Sequence, residues 1–322
     1  MACAICGEER FHPATIAGVA IRRCAGCGLR TSAIAPGRRI NYADVDEGAY
    51  LESIGRVRRR QAEEIVRFVR EHGGAGEWLD VGCGYGYVLD AARAAGFRVR
   101  GIEPDAKACA AAAARIGNVS QGTLDDSTPG AEVLSTLDVI EHLDDLNAFA
   151  ALVQSKTSLW VIKVPSSEGL FYKVAHALRI GGAVRRLWQS EYEFPHTVYF
   201  DRPSLTRFLE CNGFEVVAAR YLDEVPNGTV VDRLTLDGRT PRWKAWAAVP
   251  LFFAINLVER VRGKSDALVV VARAARGGGP SPGAARHPLP ASGARGNGGG
   301  GPSPRLRGEG GRRPDEGPGG EP

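Results

Sequence analysis

The chain has 322 residues, of which 44% are hydrophobic, and a formal net charge of +4. It is long enough for one large or two small domains with a packed core, and so modest a charge gives no strong case for a nucleic-acid partner. The first ten residues hold no apolar signal core, and no eighteen apolar residues run together. We therefore expect a cytoplasmic protein. The excess of arginine over lysine, with abundant alanine and glycine, indicates a GC-rich bacterial coding sequence.

Two cysteine pairs open the chain. Cys3 and Cys6 form one C-x-x-C-G turn, and Cys24 and Cys27 form another after seventeen residues. Cysteines at this spacing are typical of a zinc ribbon, which we place at residues 1–35, with the residues between the pairs forming its strands. Disulfide pairing is the alternative, and a reducing cytoplasm disfavours it. Because four thiolates leave no open coordination position, the predicted Zn²⁺ is structural.

Residues 36–73 predict a polar linker followed by a helix over residues 51–72, where apolar residues recur at helical spacing. The basic stretch at residues 56–60 lies on this helix. Acidic residues four positions away favour a solvated face with ion pairs over nucleic-acid binding. Tyr42 and Tyr50 precede the next domain, either as exposed linker residues or as side chains that close over a bound ligand.

From Glu77 to Asp90 an apolar run is broken by three alternating glycines and then resumes at helical spacing. This pattern predicts a strand, a tight loop and a helix, in which glycines let backbone N–H groups approach a ligand. A second short strand ends at Glu103, about twenty residues on, where a carboxylate can accept both hydroxyls of a ribose. The predicted ligand is an adenosyl cofactor. It is not a dinucleotide, because Tyr87 stands where G-x-G-x-x-G requires its third glycine.

Asp80, Gly82, Gly84 and Gly86 match D-x-G-x-G-x-G position by position. Here the sequence resembles the class I S-adenosylmethionine-dependent methyltransferases, which carry this motif first. The resemblance implies an α/β fold, with a Rossmann-like, seven-stranded, mostly parallel sheet and helices on both faces, preceded here by the small zinc ribbon. It also implies that these four residues hold the methionine end of the cofactor, and Glu103 its ribose.

Residues 74–275 alternate between strands and helices, which predicts a parallel sheet covered on both faces. Thr123 and Leu124 follow the third predicted strand of this region. In the family that position lies beside the adenine, so the resemblance implies an adenine-binding role for them. Asp125 and Asp126 are the alternatives.

The stretch D-V-I-E-H-L-D-D follows the fourth strand and begins at Asp138. It lies at the carboxyl edge, where open α/β sheets bind ligands. It resembles a D-V-I/L-E-H-L stretch in family members that act on small molecules. Asp138 is a candidate cofactor-binding residue. His142 is a candidate general base for an acceptor that must lose a proton, or alternatively a cap of the following helix. Residues 131 and 132 depart from the aromatic-Asp pair that usually opens this strand.

An insertion at about residues 166–200 interrupts the alternation and is predicted to contain one helix. In the family an insertion here commonly covers the acceptor pocket, and Trp188, Tyr192, Phe194 and His196 are candidates to line it. His196 is the second candidate base. The residues from His196 onward resemble a signature of the same subset of methyltransferases, H-x-x-x-F-[ST]-x-x-S-L-x-x-x-L-x-x-x-G-F.

Further along, Asp201 is predicted to cap a helix that stops at Gly213. Residues 243–261 form an apolar helix too short to span a bilayer. We expect it to pack against its own sheet; contact with a membrane surface or a partner subunit is the alternative. Residues 276–322, rich in Gly, Pro and Arg, are predicted to be disordered.

Together these features predict an enzyme that transfers a methyl group from S-adenosylmethionine to a small-molecule acceptor. The resemblance implies a metabolite, a sugar, or a glycan or natural-product intermediate as the acceptor, and no nucleic-acid partner is expected. The alternative is a non-catalytic protein that binds the cofactor, or recognises a partner through its zinc ribbon.

Overall fold

The computed structural model describes residues 2–34, 47–192, 194–235 and 240–275, with the backbone alone for residues 47–54. In these ranges the strands are β1 (Phe11–Ile16), β2 (Val19–Cys24), β3 (Arg30–Ser32), β4 (Glu77–Val81), β5 (Arg98–Glu103), β6 (Val119–Gln121), β7 (Ala131–Leu137), β8 (Thr157–Pro165), β9 (Val198–Tyr199), β10 (Phe214–Leu222) and β11 (Ala267–Ala274). The helices are α1 (Glu47–Glu71), α2 (Tyr87–Ala94), α3 (Ala106–Ile116), α4 (Leu146–Lys156), α5 (Leu170–Ala177), α6 (Gly181–Leu187), α7 (Arg202–Cys211), α8 (Val230–Thr235) and α9 (Arg242–Arg262). The predictions for Tyr42, the Tyr50 side chain and residues 276–322 lie outside the described residues.

A seven-stranded sheet forms the centre of the fold, in the order β10-β11-β8-β7-β4-β5-β6. The pairings among β4 to β8 are parallel, and β11 is antiparallel to both of its neighbours. The predicted Rossmann-like fold is therefore confirmed. From β4 the chain first proceeds to β5 and β6 on one side and then crosses to β7 on the other. The loops after β4 and β7 diverge, which leaves the crevice in which such sheets bind ligands.

Two tryptophans anchor the central strands in the core. Trp78 on β4 and Trp160 on β8 are fully buried. Each indole N–H, which needs a partner when it is buried, donates to a hydroxyl on β7, Trp78 to Ser135 at 2.7 Å and Trp160 to Thr136 at 2.9 Å. The sheet thus holds Asp80 and Ser135 rigidly just below the crevice.

The cysteine-rich segment belongs to a second, four-stranded sheet. Its order is β1-β2-β3-β9, and β9 lies far along the chain, in the insertion. Arg30 and Thr31 of β3 pair with Tyr199 and Val198, and the Ser32 N–H donates to the Thr197 carbonyl at 2.8 Å. The N-terminal sheet therefore continues directly into the segment that carries His196.

The insertion differs from its prediction in two ways. It forms two short helices, α5 and α6, instead of one, and Leu178 and Ile180 between them are exposed. Trp188 is buried against the N-terminal sheet, in a cluster that includes Ile16 and Tyr199. Phe194 is exposed. The pairing of β3 with β9 brings the N-terminal sheet over the insertion, which local periodicity does not reveal.

Helix α7 begins and ends as predicted. The Asp201 carboxylate accepts the Ser204 N–H at 2.9 Å, and Gly213, at φ 77°, follows the last turn.

Helix α9 departs from the expectation that it packs against the sheet. Its buried residues, including Phe252 and Ile255, face α8 and α5. Its outer face is exposed: 68% of the surface of Trp243 and 62% of that of Trp246 are accessible to solvent. None of the helices in the described part of the chain combines the length and hydropathy needed to cross a bilayer.

Candidate active site

The loop after β4 is shaped by its glycines. Gly82, Gly84 and Gly86 all have positive φ, at 72°, 52° and 75°, a region that other residues rarely adopt. A Cβ on Gly82 would lie 2.7 Å from a methyl carbon of Val139, whereas a Cβ on Gly84 would meet no atom within 4 Å. Open space above Gly84 lets a ligand approach the backbone, as the motif predicts.

Asp80 lies beneath this loop and is buried. Its carboxylate accepts the Ser135 hydroxyl at 2.5 Å, and Ser135 accepts the Trp78 indole N–H. Burial raises the pKa of Asp80 to about 7, against the opposing effect of the Ser135 hydrogen bond. A cation placed beside Asp80 would stabilise its ionised form.

Glu103, at the end of β5, is fixed to the same loop. Its carboxylate accepts the Gly84 N–H at 2.7 Å and the Asp105 N–H at 2.9 Å. Burial raises the pKa of Glu103, although both hydrogen bonds favour its ionised form. The structure thus brings Asp80, the glycine loop and Glu103 to one edge of the sheet.

The two predicted adenine-binding residues follow β6 and differ in their exposure to solvent. Thr123 is exposed, and Leu124 is buried in the main core cluster beside residues of β4 and β5.

Asp138, after β7, lies in a network of charged residues. It has a left-handed φ of 56°, which Asp tolerates better than most residues. Its carboxylate binds Nζ of Lys163 at 2.7 and 2.8 Å and also contacts Arg58. Burial opposes ionisation of Asp138, but Arg58 and Lys163 outweigh it and hold its pKa well below the usual range. Lys163 also contacts Glu224.

Beyond this network lies a cavity of about 380 Å³. Its lining includes charged residues from several elements: Arg58, Asp138, Glu141, Arg186, Glu224, Arg233 and Asp266. It also includes His142, His196 and the aromatic residues Phe171, Tyr192, Tyr199 and Phe252. A smaller pocket of about 180 Å³ lies under the glycine loop, and its lining includes Asp80, Gly82, Gly84 and Lys163. Arg58 and Asp138 line both cavities. The predicted cofactor and acceptor regions are adjacent.

Glu141, His142 and His196 meet on the wall of the larger cavity. Glu141 and His142 lie in a single 3₁₀ turn, and the two imidazole rings are 4.9 Å apart between centroids. Nδ1 of His142 lies 3.0 Å from the Pro195 carbonyl. Burial lowers the pKa of His142, and it lowers that of His196 to about 3. Burial also raises the pKa of Glu141 well above its usual range.

His142 does not cap the following helix. Asp145 takes that place, since its carboxylate accepts the Ala148 N–H at 3.0 Å.

A family model described as a methyltransferase domain matches residues 54–219. The chain belongs to this family. It is an S-adenosylmethionine-dependent methyltransferase, and the matched residues run from α1, through the glycine loop and both histidines, to β10.

The chain is also similar to solved structures of methyltransferases, at low sequence identity. An S-adenosylmethionine-dependent methyltransferase from Archaeoglobus fulgidus is 18% identical, with a TM-score of 0.45, over 67% of this chain and 94% of that one. The 1,6-didemethyltoxoflavin-N1-methyltransferase of Burkholderia thailandensis is 17% identical, with a TM-score of 0.44, over 82% of this chain and 99% of that one. Magnesium protoporphyrin IX methyltransferase from Synechocystis PCC 6803 is 14% identical, with a TM-score of 0.45, over 70% of this chain and 97% of that one. No curated protein matches the sequence significantly.

In this methyltransferase the four N-terminal cysteines converge. Their sulfur atoms all lie within 4.8 Å of one another, and the Cys3–Cys27 and Cys6–Cys24 pairs are each separated by 3.5 Å. Four sulfurs bound to one Zn²⁺ at about 2.3 Å lie roughly 3.8 Å apart. The cluster therefore fits a tetrahedral ion.

Sequence reasoning missed Arg58, Lys163 and Glu224 as site residues. Arg60 does pair with Glu64 on the α1 surface, at 3.0 Å, but Arg58 turns inward to Asp138. Lys163 had a detectable signal: it is a single charge within the apolar strand β8, and a buried lysine requires a partner. Nothing local marks Glu224, because it pairs with Lys163 on β8 and Arg58 on α1, both far away in the sequence.

Proposed function

We propose that this methyltransferase transfers the methyl group of S-adenosylmethionine to a small molecule bound in the cavity of about 380 Å³. The observation that carries the proposal is the adjacency of this cavity to the pocket under the glycine loop, since Arg58 and Asp138 line both. Methyl transfer is an in-line displacement, so most of the rate comes from holding acceptor and cofactor in adjacent, oriented positions.

The glycine loop and its two carboxylates fit the cofactor. We assign Asp80, with the backbone of Gly82, Gly84 and Gly86, to the methionine end, whose ammonium group complements a buried carboxylate. Glu103 is assigned to the ribose hydroxyls, because its carboxylate already lies against the Gly84 amide.

The remaining cofactor assignments rest on position. Thr123 and Leu124 follow β6, which pairs with β5, the strand that ends at Glu103. We assign them to the adenine. Asp138 is assigned to the cofactor pocket as the residue that holds Arg58 and Lys163 in place.

His142 and His196 are the candidate general bases. Because a carbonyl only accepts, the hydrogen bond to Pro195 places the proton of His142 on Nδ1 and leaves Nε2 as an acceptor. Burial keeps both rings neutral at pH 7, the form that can take a proton from an acceptor hydroxyl or amine. A base is required only if the attacking atom carries a proton.

The cavity dimensions support a small acceptor. Its volume of about 380 Å³ lies at the lower end of the range of about 300–1,000 Å³ that is usual for small-molecule sites. Phe171, Tyr192 and Phe252 offer apolar faces, and Arg186 and Arg233 offer cationic groups. A metabolite, a sugar, or a glycan or natural-product intermediate with a hydroxylated portion fits this lining of aromatic and polar groups.

The zinc ion of the ribbon is proposed to be structural. Four thiolates complete its coordination, and the strand pairing of β3 with β9 gives the ribbon a role inside the fold. This pairing supports a stabilising role over the alternative in which the ribbon serves a non-catalytic protein as a surface for partners.

Calorimetric titration of the zinc-loaded protein with S-adenosylmethionine, S-adenosylhomocysteine and NAD tests the cofactor assignment. Micromolar binding of the first two and none of NAD is expected. Acceptor libraries of sugars and metabolites are then screened for methylation, with the His142→Ala and His196→Ala variants alongside. Loss of turnover with intact cofactor binding supports a base; undiminished turnover in both variants excludes one. If no acceptor is methylated and the cofactor is only slowly hydrolysed, the non-catalytic alternative gains support.

A further inference from the structure

Three potential metal ligands converge on the cavity wall outside the cysteine cluster. They are the Glu141 carboxylate and one ring nitrogen each of His142 and His196, and these atoms all lie within 4.8 Å of one another. The segments that carry them are tied together, since the Thr197 N–H donates to the Glu141 carbonyl at 2.8 Å. The convergence is therefore built into the backbone.

Glu141 is completely buried, and neither carboxylate oxygen has a hydrogen-bond partner among the described residues. The same is true of Nδ1 of His196, which is also buried. A buried carboxylate without a partner is costly, and so such groups are normally paired or bind a metal. Of the nearby cations, Lys163 already binds Asp138 and Glu224.

His142 is oriented as a ligand would be. Its Nδ1–H donates to the Pro195 carbonyl at 3.0 Å, so the lone pair of Nε2 is available to an ion. Histidines that ligate metals usually donate their other N–H to a carbonyl or carboxylate in this way, which fixes the tautomer and the ring orientation.

We propose that Glu141, His142 and His196 bind a divalent transition-metal ion on the wall of the acceptor cavity. Two imidazoles and one carboxylate suit ions of the manganese, iron, cobalt and zinc series better than Ca²⁺ or Mg²⁺. Bound at about 2.0–2.2 Å, the three ligand atoms lie roughly 3–3.5 Å apart, which requires side-chain movements on the order of 1 Å.

Three protein ligands leave coordination positions open toward the cavity. This part of the inference rests on the proposed function: the open positions take an oxygen atom of the acceptor, such as a hydroxyl, and orient it toward the cofactor pocket. The ion then occupies the nitrogen atoms that would otherwise serve as the general base. An ion would also lower the pKa of a bound hydroxyl, so that the hydroxyl could release its proton to water in the cavity. Its oxygen would then form a bond to the methyl carbon as the carbon–sulfur bond of the sulfonium breaks, which leaves neutral S-adenosylhomocysteine.

Mn²⁺ is the appropriate probe, because thiolates select softer ions and the zinc of the ribbon stays in place. The zinc-loaded protein is titrated with Mn²⁺ and free Mn²⁺ is measured by electron paramagnetic resonance. One Mn²⁺ per chain is expected for the wild type and for His72→Gln, a matched histidine variant at the end of α1. At least about tenfold weaker binding is expected for Glu141→Gln and His196→Gln, since even indirect partners of metal ligands contribute that much.

Two results would overturn the inference: no Mn²⁺ or Co²⁺ binding by the wild type, or unchanged binding by Glu141→Gln. Glu141→Gln preserves side-chain volume, so it serves if His196→Gln fails to fold, and circular dichroism checks both. S-adenosylmethionine affinity is measured in the same samples without added metal. If the wild type binds S-adenosylmethionine but not Mn²⁺, the metal site alone is refuted. If the wild type does not bind S-adenosylmethionine, the proposed function is refuted.

Discussion

Asp80 shows how a single carboxylate acquires its properties from the sheet. The Trp78 indole donates to Ser135, and the Ser135 hydroxyl donates to Asp80, so that three residues on adjacent strands form one chain of hydrogen bonds. Burial nevertheless dominates and raises the pKa of Asp80 to about 7 from an ordinary 3.8. In the absence of cofactor, the contribution of Asp80 to the free energy of unfolding therefore declines as the pH rises from about 4 to 7. Over that range Asp80 has lost its proton in the unfolded chain but keeps it in the folded protein.

The same pKa predicts pH-dependent cofactor binding. The ammonium group of S-adenosylmethionine favours ionised Asp80, so the affinity should rise about tenfold between pH 6 and pH 8 as Asp80 loses its proton. Calorimetry across this range, in buffers of different ionisation enthalpy, should detect proton release on binding at pH 6.

Asp80→Asn is the control for this prediction. It preserves the shape of the side chain but cannot titrate, so its residual pH dependence reports the cofactor's own amino group. Parallel pH profiles for the wild type and Asp80→Asn would show that Asp80 does not contact the charged end of the cofactor.

Glu103→Ala should weaken S-adenosylmethionine binding by ~1.5–3 kcal/mol, the usual contribution of hydrogen bonds to a charged group. The variant removes the proposed ribose acceptor and also the acceptor of the Gly84 N–H. Calorimetric titration measures the loss, with Glu210→Ala on the exposed face of α7 as the matched control. An affinity equal to that of the control would remove Glu103 from the site.

Among the elements, β9 connects the two sheets. It is only two residues long, yet it continues the N-terminal sheet and immediately follows His196 and Thr197. Arg30 on β3 reinforces the joint, since its guanidinium donates to the Ser167 hydroxyl at 2.6 Å and pairs with Asp201 at 3.3 Å. The ribbon therefore supports the acceptor side of the site more directly than the glycine loop.

Cys24→Ser should consequently slow methyl transfer to the acceptor more than it weakens S-adenosylmethionine binding. Loss of the proposed zinc ion should loosen the strand pairing next to His196, while Asp80 and Glu103 lie on the central sheet. Turnover and calorimetric affinity are compared, with Cys211→Ser as a control outside the cysteine cluster. A substitution is preferred to a chelator, which would also remove the metal ion that we propose for the cavity. Equal losses of both quantities would contradict this division of roles.

At the scale of the whole molecule, the central sheet provides the rigidity that the site requires. Trp160 on β8 has aromatic neighbours on α4, α7 and β10, with ring centroids 6.3 Å from Phe149, 6.3 Å from Phe208 and 5.1 Å from Phe214. One side chain thus connects β8 to the helices that cover one face of the sheet.

Trp160→Ala should lower the free energy of unfolding by ~3–5 kcal/mol, because the cavity cannot collapse between packed aromatic rings. Trp246→Ala, on the exposed face of α9, should change it by less than about 0.5 kcal/mol. Urea denaturation followed by far-ultraviolet circular dichroism measures both. Similar values for the two variants would mean that Trp160 does not anchor the core.

The sequence by itself predicted the Rossmann-like fold, which the structure confirms, and also the residues that we propose for the cofactor. Strand and helix periodicity, the glycines at 82, 84 and 86, and Glu103 at the end of a strand are local signals. The backbone needs glycine wherever φ is positive beside a ligand, so that such positions can be recognised without knowing what surrounds them.

Only the tertiary structure brought together the residues that line the proposed acceptor cavity. Arg58, Lys163 and Glu224 come from three separate parts of the chain. Their roles could not be predicted from the sequence, because their contacts with Asp138 and with one another form only in the folded protein. Likewise, Glu141 and His196 meet because the Thr197 N–H, just before β9, donates to the Glu141 carbonyl. Long-range pairing leaves no period in the sequence, and the charge, burial and partners of these residues follow from that pairing.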